Sequence, residues 1–555
     1  MPRDDYIDKP YLPNRKDFHL EEGTVMKSLM KRVFAAAAAI ATVFGLAATT
    51  VATANAADNA TLTVSTTDAK FAGKTVNAYK MFSATVSGDG KAVSYTLTDG
   101  WKEFFKDSTF VTGATDANVN DKANEYVSKL KGEDLVAFAT KASNWAQTKT
   151  NGITAGATAM VSADATDGKY TATFTGLDYG YYVVAVPGAT LANASGQYAT
   201  LVSVDSTNVN TNIKGDLPTV DKKVQVGGTG KDATDAKIGD TLTFTLTSTI
   251  PDMSAYDTYT FNFKDTLSQG LTFGQVTSVT VEGVTDPLTV NTDYTVTTPT
   301  VSDNTLTVAM KDFKAKQQAN AGKKITVTYT ATLNEKAVVG GVGNTNSATI
   351  QYSNNPSSGG TGESEPSKVR VFTYGFTVDK YTGDKYDDDA TRLAGAEFTL
   401  APKNGTAMSF VQVDAGSATA NAVYRVAKAD ETGTTTIITT PASGKVVFRG
   451  LENGEYTLTE TKAPAGYNKL ASAIGVKVNG QNDGTDTTNA TVTITYNNDN
   501  GSSYNQTASN GVIPVQNKSG AILPGTGGMG TIAFTVIGVL VIALGVAWTL
   551  KRKNA

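Results

Sequence analysis

The alternation of apolar and polar side chains in short runs is the feature that most constrains how this chain can fold. Clear runs occupy residues 169–174, 240–246, 324–329 and 445–448, and Gly, Asp and Asn residues suited to turns separate such runs. Successive side chains of a β-strand point to opposite faces, so the alternation predicts strands that are buried on one face. Many short strands between turns are typical of a β-sandwich, and we therefore expect a mainly β protein.

Helical periodicity is confined mainly to the first third of the chain. Residues 101–110 and 121–149 carry apolar side chains at the spacing of one helix face. In the second segment these side chains are Tyr126, Leu130, Leu135, Phe138 and Trp145. We expect both segments to be helices that pack on the sheet of the first domain.

Two breaks in the strand pattern suggest domain boundaries. Gly215, Asp216 and Pro218 interrupt a strand, and residues 354–369 are too rich in Gly, Ser and Pro for one. At roughly 100–200 residues per domain, the chain between its two ends has room for about three domains. The predicted domains are 57–214, 215–368 and 369–520.

The N-terminal region has the features of an export signal. Three basic residues precede a long apolar stretch, and Ala54-Asn55-Ala56 fits an A-x-A cleavage site, so residues 26–56 are predicted to be a secretory signal peptide. Residues 1–25 are polar and do not belong to such a signal. Because the codons for Glu21-Glu22-Gly23 are purine-rich, like a ribosome-binding sequence, we expect translation to begin at Met26.

The C-terminal region combines three elements in a fixed order. The first is a pentapeptide formed by Leu523, Pro524, Gly525, Thr526 and Gly527. The uncharged run 531–550 follows, and it has the length of ~20 residues that one helix needs to cross a bilayer. Basic residues at 551–553 are expected to stay cytoplasmic, so the run is predicted to be a transmembrane helix with the preceding chain outside the cell.

This arrangement resembles the cell-wall sorting signal of Gram-positive surface proteins, whose pentapeptide reads LPxTG. The resemblance assigns residues 523–555 to such a signal. It implies that a sortase cleaves between Thr526 and Gly527 and transfers the threonine acyl group to an amine. An ordinary membrane anchor that follows a Pro-Gly turn is the alternative.

Composition excludes several classes of function. The formal net charge is −4 and basic blocks lie only near the two ends, so nucleic acid is not expected as a partner. The chain has no cysteine, and its single histidine, His19, lies in the segment expected to be absent. Without these side chains the usual Ser-His, Cys-His and zinc sites cannot form. We expect no enzyme activity, cofactor or metal site.

The last predicted domain places three chemically reactive side chains near its core. Phe376, Val378 and Lys380 alternate along one strand and share a face, and Tyr456, Leu458 and Glu460 do the same on another. The final strand ends at Asn517, which supplies an amide. An unpaired buried ammonium is costly, so Lys380 should be neutral or paired.

These residues resemble the CnaB-type domain of Gram-positive pilins and adhesins, whose E-box reads YxLxETxAPxGY; residues 456–467 match every defined position. The resemblance implies a spontaneous isopeptide bond in which Lys380 is the nucleophile, Glu460 the catalytic acid and Asn517 the electrophile. A core salt bridge between Lys380 and Glu460 without a covalent bond is the alternative.

The middle domain contains a similar set of a lysine, an acid and an amide, although its sequence matches the motif less closely. Lys222 shares a strand face with Val220 and Val224, and Asp265 interrupts an apolar stripe. Asn346 lies in register with Ala348, Ile350 and Tyr352. The pattern resembles the CnaA-like middle domain of major pilins, which implies a bond between Lys222 and Asn346 with Asp265 as the acid and Asn344 as the reserve electrophile. A buried aspartate bonded to a strand end is the alternative. The first domain lacks a matching acid in 176–183, and we expect no such bond there.

Lys214 lies where the first domain is expected to end. In pilin shafts the sortase-made linkage uses a lysine just before the middle domain, usually in a VYPK-like motif. The resemblance therefore implies that Lys214 accepts the acyl group, although this chain lacks the Tyr-Pro pair. Lys223 is the second choice.

The whole pattern is similar to that of sortase-assembled major pilins of the SpaA/FimA type, built of tandem Ig-like (CnaA- and CnaB-type) β-sandwich domains. The resemblance implies a secreted, wall-anchored pilus subunit with a membrane-bound precursor. Its expected partners are other copies of itself, pilus-class and housekeeping sortases, peptidoglycan, accessory pilins and a host receptor. A non-polymerising adhesin or accessory pilin, or a wall-anchored hydrolase, are the alternatives, and the missing histidine argues against the last.

Overall fold

The computed structural model describes residues 59–553 except 89, 91, 107–110, 149–150, 152, 190–198, 355–358, 387, 482–483, 485–490, 499–502 and 521–528. The predicted signal peptide, 26–56, and the predicted sorting pentapeptide, 523–527, lie outside the described residues. Within them, six sheets form three successive β-sandwich units. The predicted mainly β architecture is confirmed.

The first unit consists of a three-stranded and a five-stranded sheet. Its strands are β1 (Ala60–Thr66), β2 (Thr75–Val86), β3 (Val93–Leu97), β4 (Ala157–Met160), β5 (Tyr170–Leu177), β6 (Gly180–Ala185), β7 (Ala199–Val204) and β8 (Asn208–Asn212). The smaller sheet has the order β5-β1-β8, with β1 and β8 parallel. The larger has the order β3-β2-β6-β7, and β4 also pairs with β2.

Helices cover one face of the larger sheet in this unit. They are α1 (Lys102–Lys106), α2 (Val119–Lys129) and α3 (Gly132–Gln147), with 3-10 turns at Ala69–Phe71 and Asp99–Trp101. Phe105 of α1 packs on Phe82 of β2, and Phe138 of α3 packs on Phe105. The predicted helical segment 121–149 is two helices, because the chain turns to extended backbone at Leu130.

The middle unit is a sandwich of a five-stranded and a seven-stranded sheet. Its strands are β9 (Asp221–Val226), β10 (Thr229–Lys231), β11 (Ala233–Asp235), β12 (Thr241–Thr249), β13 (Phe261–Leu267), β14 (Leu271–Val281), β15 (Tyr294–Thr297), β16 (Thr305–Met310), β17 (Lys324–Leu333), β18 (Asn344–Ser353), β19 (Thr361–Glu363) and β20 (Ser367–Phe372). Helix α4 (Phe313–Gln317) and a 3-10 turn at Gln318–Asn320 precede β17. The sheets have the orders β10-β9-β12-β17-β14 and β11-β20-β18-β13-β16-β15, with β19 on β18.

The middle unit extends past the predicted boundary at residue 368. Strand β20 pairs antiparallel with β18 and parallel with β11, so its residues 369–372 belong to the middle sheet. Residues 354–369, predicted to contain no strand, include β19 and the start of β20. Backbone pairing and the burial of Val369, Val371 and Phe372 outweigh the unfavourable composition of the preceding loop.

The third unit also has two sheets. Its strands are β21 (Tyr374–Tyr381), β22 (Glu397–Pro402), β23 (Phe410–Asp414), β24 (Ala422–Val426), β25 (Ile438–Thr439), β26 (Lys445–Leu451), β27 (Gly454–Lys462), β28 (Ile474–Gln481), β29 (Thr491–Asn497), β30 (Gln506–Thr507) and β31 (Val512–Gln516), with a 3-10 turn at Asp389–Thr391. The orders are β23-β24-β26-β21-β31 and β25-β22-β27-β28-β29-β30. The first and last strands, β21 and β31, are therefore parallel neighbours.

The chain continues into helix α5 (Met529–Lys553). A search of the described residues finds no helix that is both long and apolar enough to be identified as a membrane span. The transmembrane helix at 531–550 stays a prediction from the sequence.

The position of β20 can be tested by comparing two fragments, 215–372 and 215–368. The shorter one lacks Val369, Val371 and Phe372, which are fully buried. Because burial of each such side chain contributes about 1.5–3 kcal/mol, we expect the shorter fragment to lose at least about 4 kcal/mol of stability. Thermal unfolding followed by circular dichroism measures the difference, and equal melting temperatures would place β20 outside the middle unit.

Candidate functional site

Two lysines are fully buried in the described structure. Lys222 of β9 and Lys380 of β21 both have 0% exposure, one in the middle unit and one in the third. A charged ammonium loses its hydration at such a position, so each lysine must be neutral or have compensating partners. The groups around each lysine therefore define two candidate sites.

Strand β9 determines which of two adjacent lysines points inward. Val220, Lys222 and Val224 are all buried, as the two-residue period of a strand requires. Lys223 points the other way and forms ion pairs with Asp232 at 2.5 Å and Asp221 at 3.3 Å. The structure thus brings Lys222, and not Lys223, to the core.

The middle site brings Lys222 together with the predicted acid and amide. The Lys222 Nζ atom lies 2.6 Å from Oδ2 of Asp265, which is also fully buried. Asp265 lies on β13, and Asn346 lies on the neighbouring β18 opposite Leu267, two positions further along β13. All three side chains therefore face the space between the two sheets.

Tyr329 of β17 joins this site, and sequence reasoning missed it. Its hydroxyl accepts a hydrogen bond from Lys222 Nζ at 2.8 Å and one from Asn346 Nδ2 at 2.6 Å. It donates to Asp265 Oδ2 at 2.5 Å. The signal that could have found it is the alternation along 324–329, which puts Tyr329 on the same strand face as Ile325 and Val327. A buried phenol oxygen on that face needs polar partners.

The side chain of Asn344 forms its hydrogen bonds with the backbone and not with Lys222 or Asp265. Its Oδ1 atom accepts a hydrogen bond from the amide of Val338 at 2.9 Å. Its Nδ2 atom donates to the carbonyl oxygens of Val338 at 3.1 Å and Val371 at 3.0 Å. The amide therefore fixes a loop, and the geometry favours Asn346 over Asn344 as the partner of Lys222.

The third unit assembles an analogous site from Lys380, Glu460 and Asn517. Lys380 Nζ lies 3.7 Å from Glu460 Oε1 and donates to the carbonyl oxygen of Val515 at 3.0 Å. Asn517 Nδ2 donates to Glu460 Oε2 at 3.1 Å. Glu460 and Asn517 are each 1% exposed, so the whole group is closed to solvent.

Each site leaves two buried oxygens without a hydrogen-bond donor among the described residues. In the middle site these are Asp265 Oδ1 and Asn346 Oδ1, and in the third unit they are Glu460 Oε1 and Asn517 Oδ1. An ionised carboxylate only accepts, whereas a protonated one also donates. Because an unpaired buried acceptor costs about 1–3 kcal/mol, a hydrogen-bond donor at these oxygens would stabilise each site.

Burial also shifts the lysines toward the neutral form. It lowers the pKa of Lys222 from the ordinary lysine value, against the attraction of Asp265. It lowers the pKa of Lys380 to about 8, against the attraction of Glu460. Burial and the nearby Asp265 raise the pKa of Tyr329, so its hydroxyl stays protonated. Burial therefore favours the neutral amine in both sites.

The first unit lacks a comparable group among its described residues. The exposed pair of Lys80 and Asp178 lies near its surface, and no lysine of this unit is in the core. Lys214 follows β8, is partly exposed, and has no carboxylate within ion-pair distance among the described residues. It is therefore available to react, while its role stays a prediction.

Comparison with known proteins identifies two of the domains. Residues 238–356 match the family model of the Gram-positive pilin backbone subunit 2, Cna-B-like domain. Residues 379–500 match the SpaA model, a prealbumin-like fold domain. The model that matches the middle domain is Cna-B-like. The sequence had instead suggested a resemblance of this domain to CnaA-like domains.

A curated relative is the trypsin-resistant surface T6 protein of Streptococcus pyogenes serotype M6, which is 27% identical over 261 residues. The match covers 46% of this chain and 44% of that protein, so the chain spans less than half the length of its relative. Residues 238–356 are thus similar to a Gram-positive pilin backbone domain and residues 379–500 to a SpaA prealbumin-like domain, and the resemblance to Gram-positive backbone pilins is confirmed.

Several solved structures are similar to the chain. The T6 backbone pilin of serotype M6 Streptococcus pyogenes is 19% identical, with a TM-score of 0.46 over 84% of this chain and 100% of that one. The major pilin SpaD of Corynebacterium diphtheriae is 19% identical, with a TM-score of 0.39 over 84% and 98%. The pilus backbone RrgB of Streptococcus pneumoniae is 19% identical, with a TM-score of 0.36 over 54% and 100%.

The lowered pKa of Lys380 predicts how stability depends on pH in the variant Asn517→Ala, where Lys380 has no amide to attack. Between pH 8 and the ordinary lysine value of 10.5, the unfolded chain binds more protons than the folded one. The free energy of unfolding should therefore rise with pH over this range, by about 2–3 kcal/mol.

Urea denaturation at several pH values measures this slope. The matched control, Lys380→Met combined with Asn517→Ala, removes the titrating amine and should lose this rise. An equal slope in the two variants would contradict the lowered pKa.

Proposed function

We propose that this chain is the backbone subunit of a surface pilus and that two intramolecular isopeptide bonds, Lys222–Asn346 and Lys380–Asn517, reinforce it. The observation that carries this proposal is the presence of a fully buried lysine, acid and amide in each of two domains. The middle domain matches the model of a Gram-positive pilin backbone domain and the third matches the SpaA model, which supports the same function.

The proposed bond formation balances without any added reagent. The neutral lysine nitrogen attacks the amide carbon of the asparagine, while the protonated carboxyl group polarises the carbonyl. The new carbon–nitrogen bond forms as the old one breaks, and its electron pair leaves with the asparagine nitrogen. That nitrogen gains the proton that the lysine loses, and ammonia departs. Asp265 and Glu460 are the acids of the two sites.

The position of each bond in its sandwich explains what it would stabilise. Lys380 pairs with Val515 across the parallel β21 and β31, so a bond to Asn517 joins the first and last strands of the third unit. Lys222 and Asn346 lie on different sheets of the middle unit, so their bond joins its two layers. A force applied along the chain would then be borne by a covalent bond before the strands separate.

Polymerisation would require a second reaction between subunits. In the proposed assembly, a sortase joins Thr526 of one subunit to Lys214 of the next, and the last subunit is attached to peptidoglycan. The apolar run 531–550 would hold the precursor in the membrane until cleavage. The sequence of the C-terminal region and the accessible position of Lys214 support this assembly, which would present the shaft for adhesion.

Intact mass measurement of recombinant residues 57–520 tests the intramolecular bonds. Each bond releases one ammonia, so we expect a mass below the sequence mass by about 17 Da per bond, for two bonds. Asn346→Ala and Glu460→Ala should each prevent one bond, so the mass of each variant should fall below its own sequence mass by only one ammonia. Asn344→Ala is the matched control and should keep both, and a wild-type mass equal to the sequence mass would contradict the bonds.

Substitution of Lys214 tests polymerisation in the native cell. Lys214→Arg keeps the charge but removes the nucleophilic amine, so the covalent high-mass ladder on denaturing gels should disappear. Lys223→Arg, at an ion-paired lysine nearby, should leave the ladder intact. An undiminished ladder in Lys214→Arg would assign another acceptor, and a wild-type chain without any ladder would favour a non-polymerising adhesin or accessory pilin.

A further inference from the structure

We propose that Tyr329 is a catalytic residue of the middle site and that its hydroxyl carries a proton from Lys222 Nζ to the leaving nitrogen of Asn346. The inference rests on the proposed isopeptide bond between these two residues. It adds a fourth residue to the middle site, for which the sequence analysis predicted Lys222, Asp265 and Asn346.

The hydroxyl of Tyr329 lies between the two nitrogens that exchange a proton in this reaction. Lys222 Nζ is 2.8 Å from Oη, and Asn346 Nδ2 is 2.6 Å from the same oxygen. Both distances are within the range that direct proton transfer requires. A single atom therefore contacts the nucleophile and the leaving group.

The surrounding core holds this oxygen in place. The ring of Tyr329 is fully buried and stacks on Phe244 with centroids 5.3 Å apart and planes 17° apart. Lys222 Nζ lies 5.1 Å from the centroids of both rings. In the unreacted site the hydroxyl donates to Asp265 Oδ2 at 2.5 Å.

The transfer is balanced within the four groups. After Nζ attacks the amide carbon, it carries one proton too many, and Nδ2 needs one proton to leave as ammonia. The O–H group turns from Asp265 Oδ2 toward Nδ2, whose lone pair is free once the amide carbon has been attacked. Oη then accepts the proton from Nζ as it gives its own to Nδ2, so Tyr329 ends as it began. Asp265 keeps its role as the acid that polarises the carbonyl.

The third unit shows why the middle site needs the tyrosine. There, the carboxyl group itself spans the two nitrogens, because Glu460 Oε2 accepts from Asn517 Nδ2 at 3.1 Å and Oε1 faces Lys380 Nζ at 3.7 Å. Aspartate is shorter than glutamate by one methylene. In the middle site Asp265 contacts Lys222 directly, and the amide nitrogen of Asn346 contacts Tyr329 instead.

The test measures bond formation at both sites in the full-length chain carrying Tyr329→Phe. The chain is synthesised in a cell-free system and samples are quenched in denaturant at successive times, so that peptide mapping by mass spectrometry follows the formation of each bond separately. Because general acid–base groups contribute typically about 10²-fold or more, we expect the Lys222–Asn346 bond to form about 10²-fold more slowly. The Lys380–Asn517 bond in the same molecule should form at its wild-type rate.

Tyr259→Phe is the matched control, since Tyr259 is a buried tyrosine of the same unit and contacts neither Lys222 nor Asn346 by any hydrogen bond. Both bonds should form normally in this variant. If the middle bond of Tyr329→Phe forms at the wild-type rate, the inference is overturned. If the wild-type chain itself forms no middle bond, the proposed function fails instead.

A second variant covers the case in which Tyr329→Phe does not fold. Trifluorotyrosine at position 329 keeps the ring and the hydroxyl but makes that hydroxyl more acidic. A proton relay predicts a several-fold change in the rate of the middle bond alone. An unchanged rate would show that Tyr329 only packs the core.

Discussion

The burial of an amine beside a carboxyl group is the interaction on which both later domains depend. A lysine and an acid in an apolar core lose their hydration, and their mutual attraction repays this loss only partly. Lys222 and Lys380 are fully buried, and burial lowers the pKa of both. The proposed reaction with an asparagine amide would remove this cost, since the product would hold a neutral amide in place of the amine. The burial that destabilises the unreacted domain would therefore promote its covalent form.

Such bonds would give this chain what exported proteins often obtain from disulfides. The chain contains no cysteine, so it cannot form disulfide links. The proposed bonds connect the first and last strands of the third unit and the two sheets of the middle unit. They form from side chains already in the core and need no oxidant. In a filament of many subunits, the middle and third domains would then resist extension through covalent bonds.

Side-chain alternation and a short motif allowed much of the site to be predicted. Alternation in β21 and β27 placed Lys380 and Glu460 in the core, and it separated Lys222 from Lys223 in β9. Tyr329 was not predicted as a site residue, because a tyrosine on a buried strand face is usually only part of the packing. Its role depends on contacts among β9, β13, β17 and β18, which no local pattern contains.

The boundaries were harder to predict for a similar reason. Residues 369–372 were assigned to the third domain, yet they pair with β18 of the middle one. The helical segment 121–149 is divided at Leu130, where apolar periodicity gives no sign of a break. Asn344 and Asn346 share a strand face, and only the hydrogen bonds of Asn344 to Val338 and Val371 distinguish them. Pairing between distant segments decides each of these points.

Peptide mapping of the purified wild-type protein tests the central claim most directly. After tryptic digestion, we predict branched peptides in which Lys222 is joined to Asn346 and Lys380 to Asn517, with no cleavage after either lysine. Recovery of the corresponding linear peptides, with cleavage after Lys222 and Lys380 and intact asparagine side chains, would contradict it.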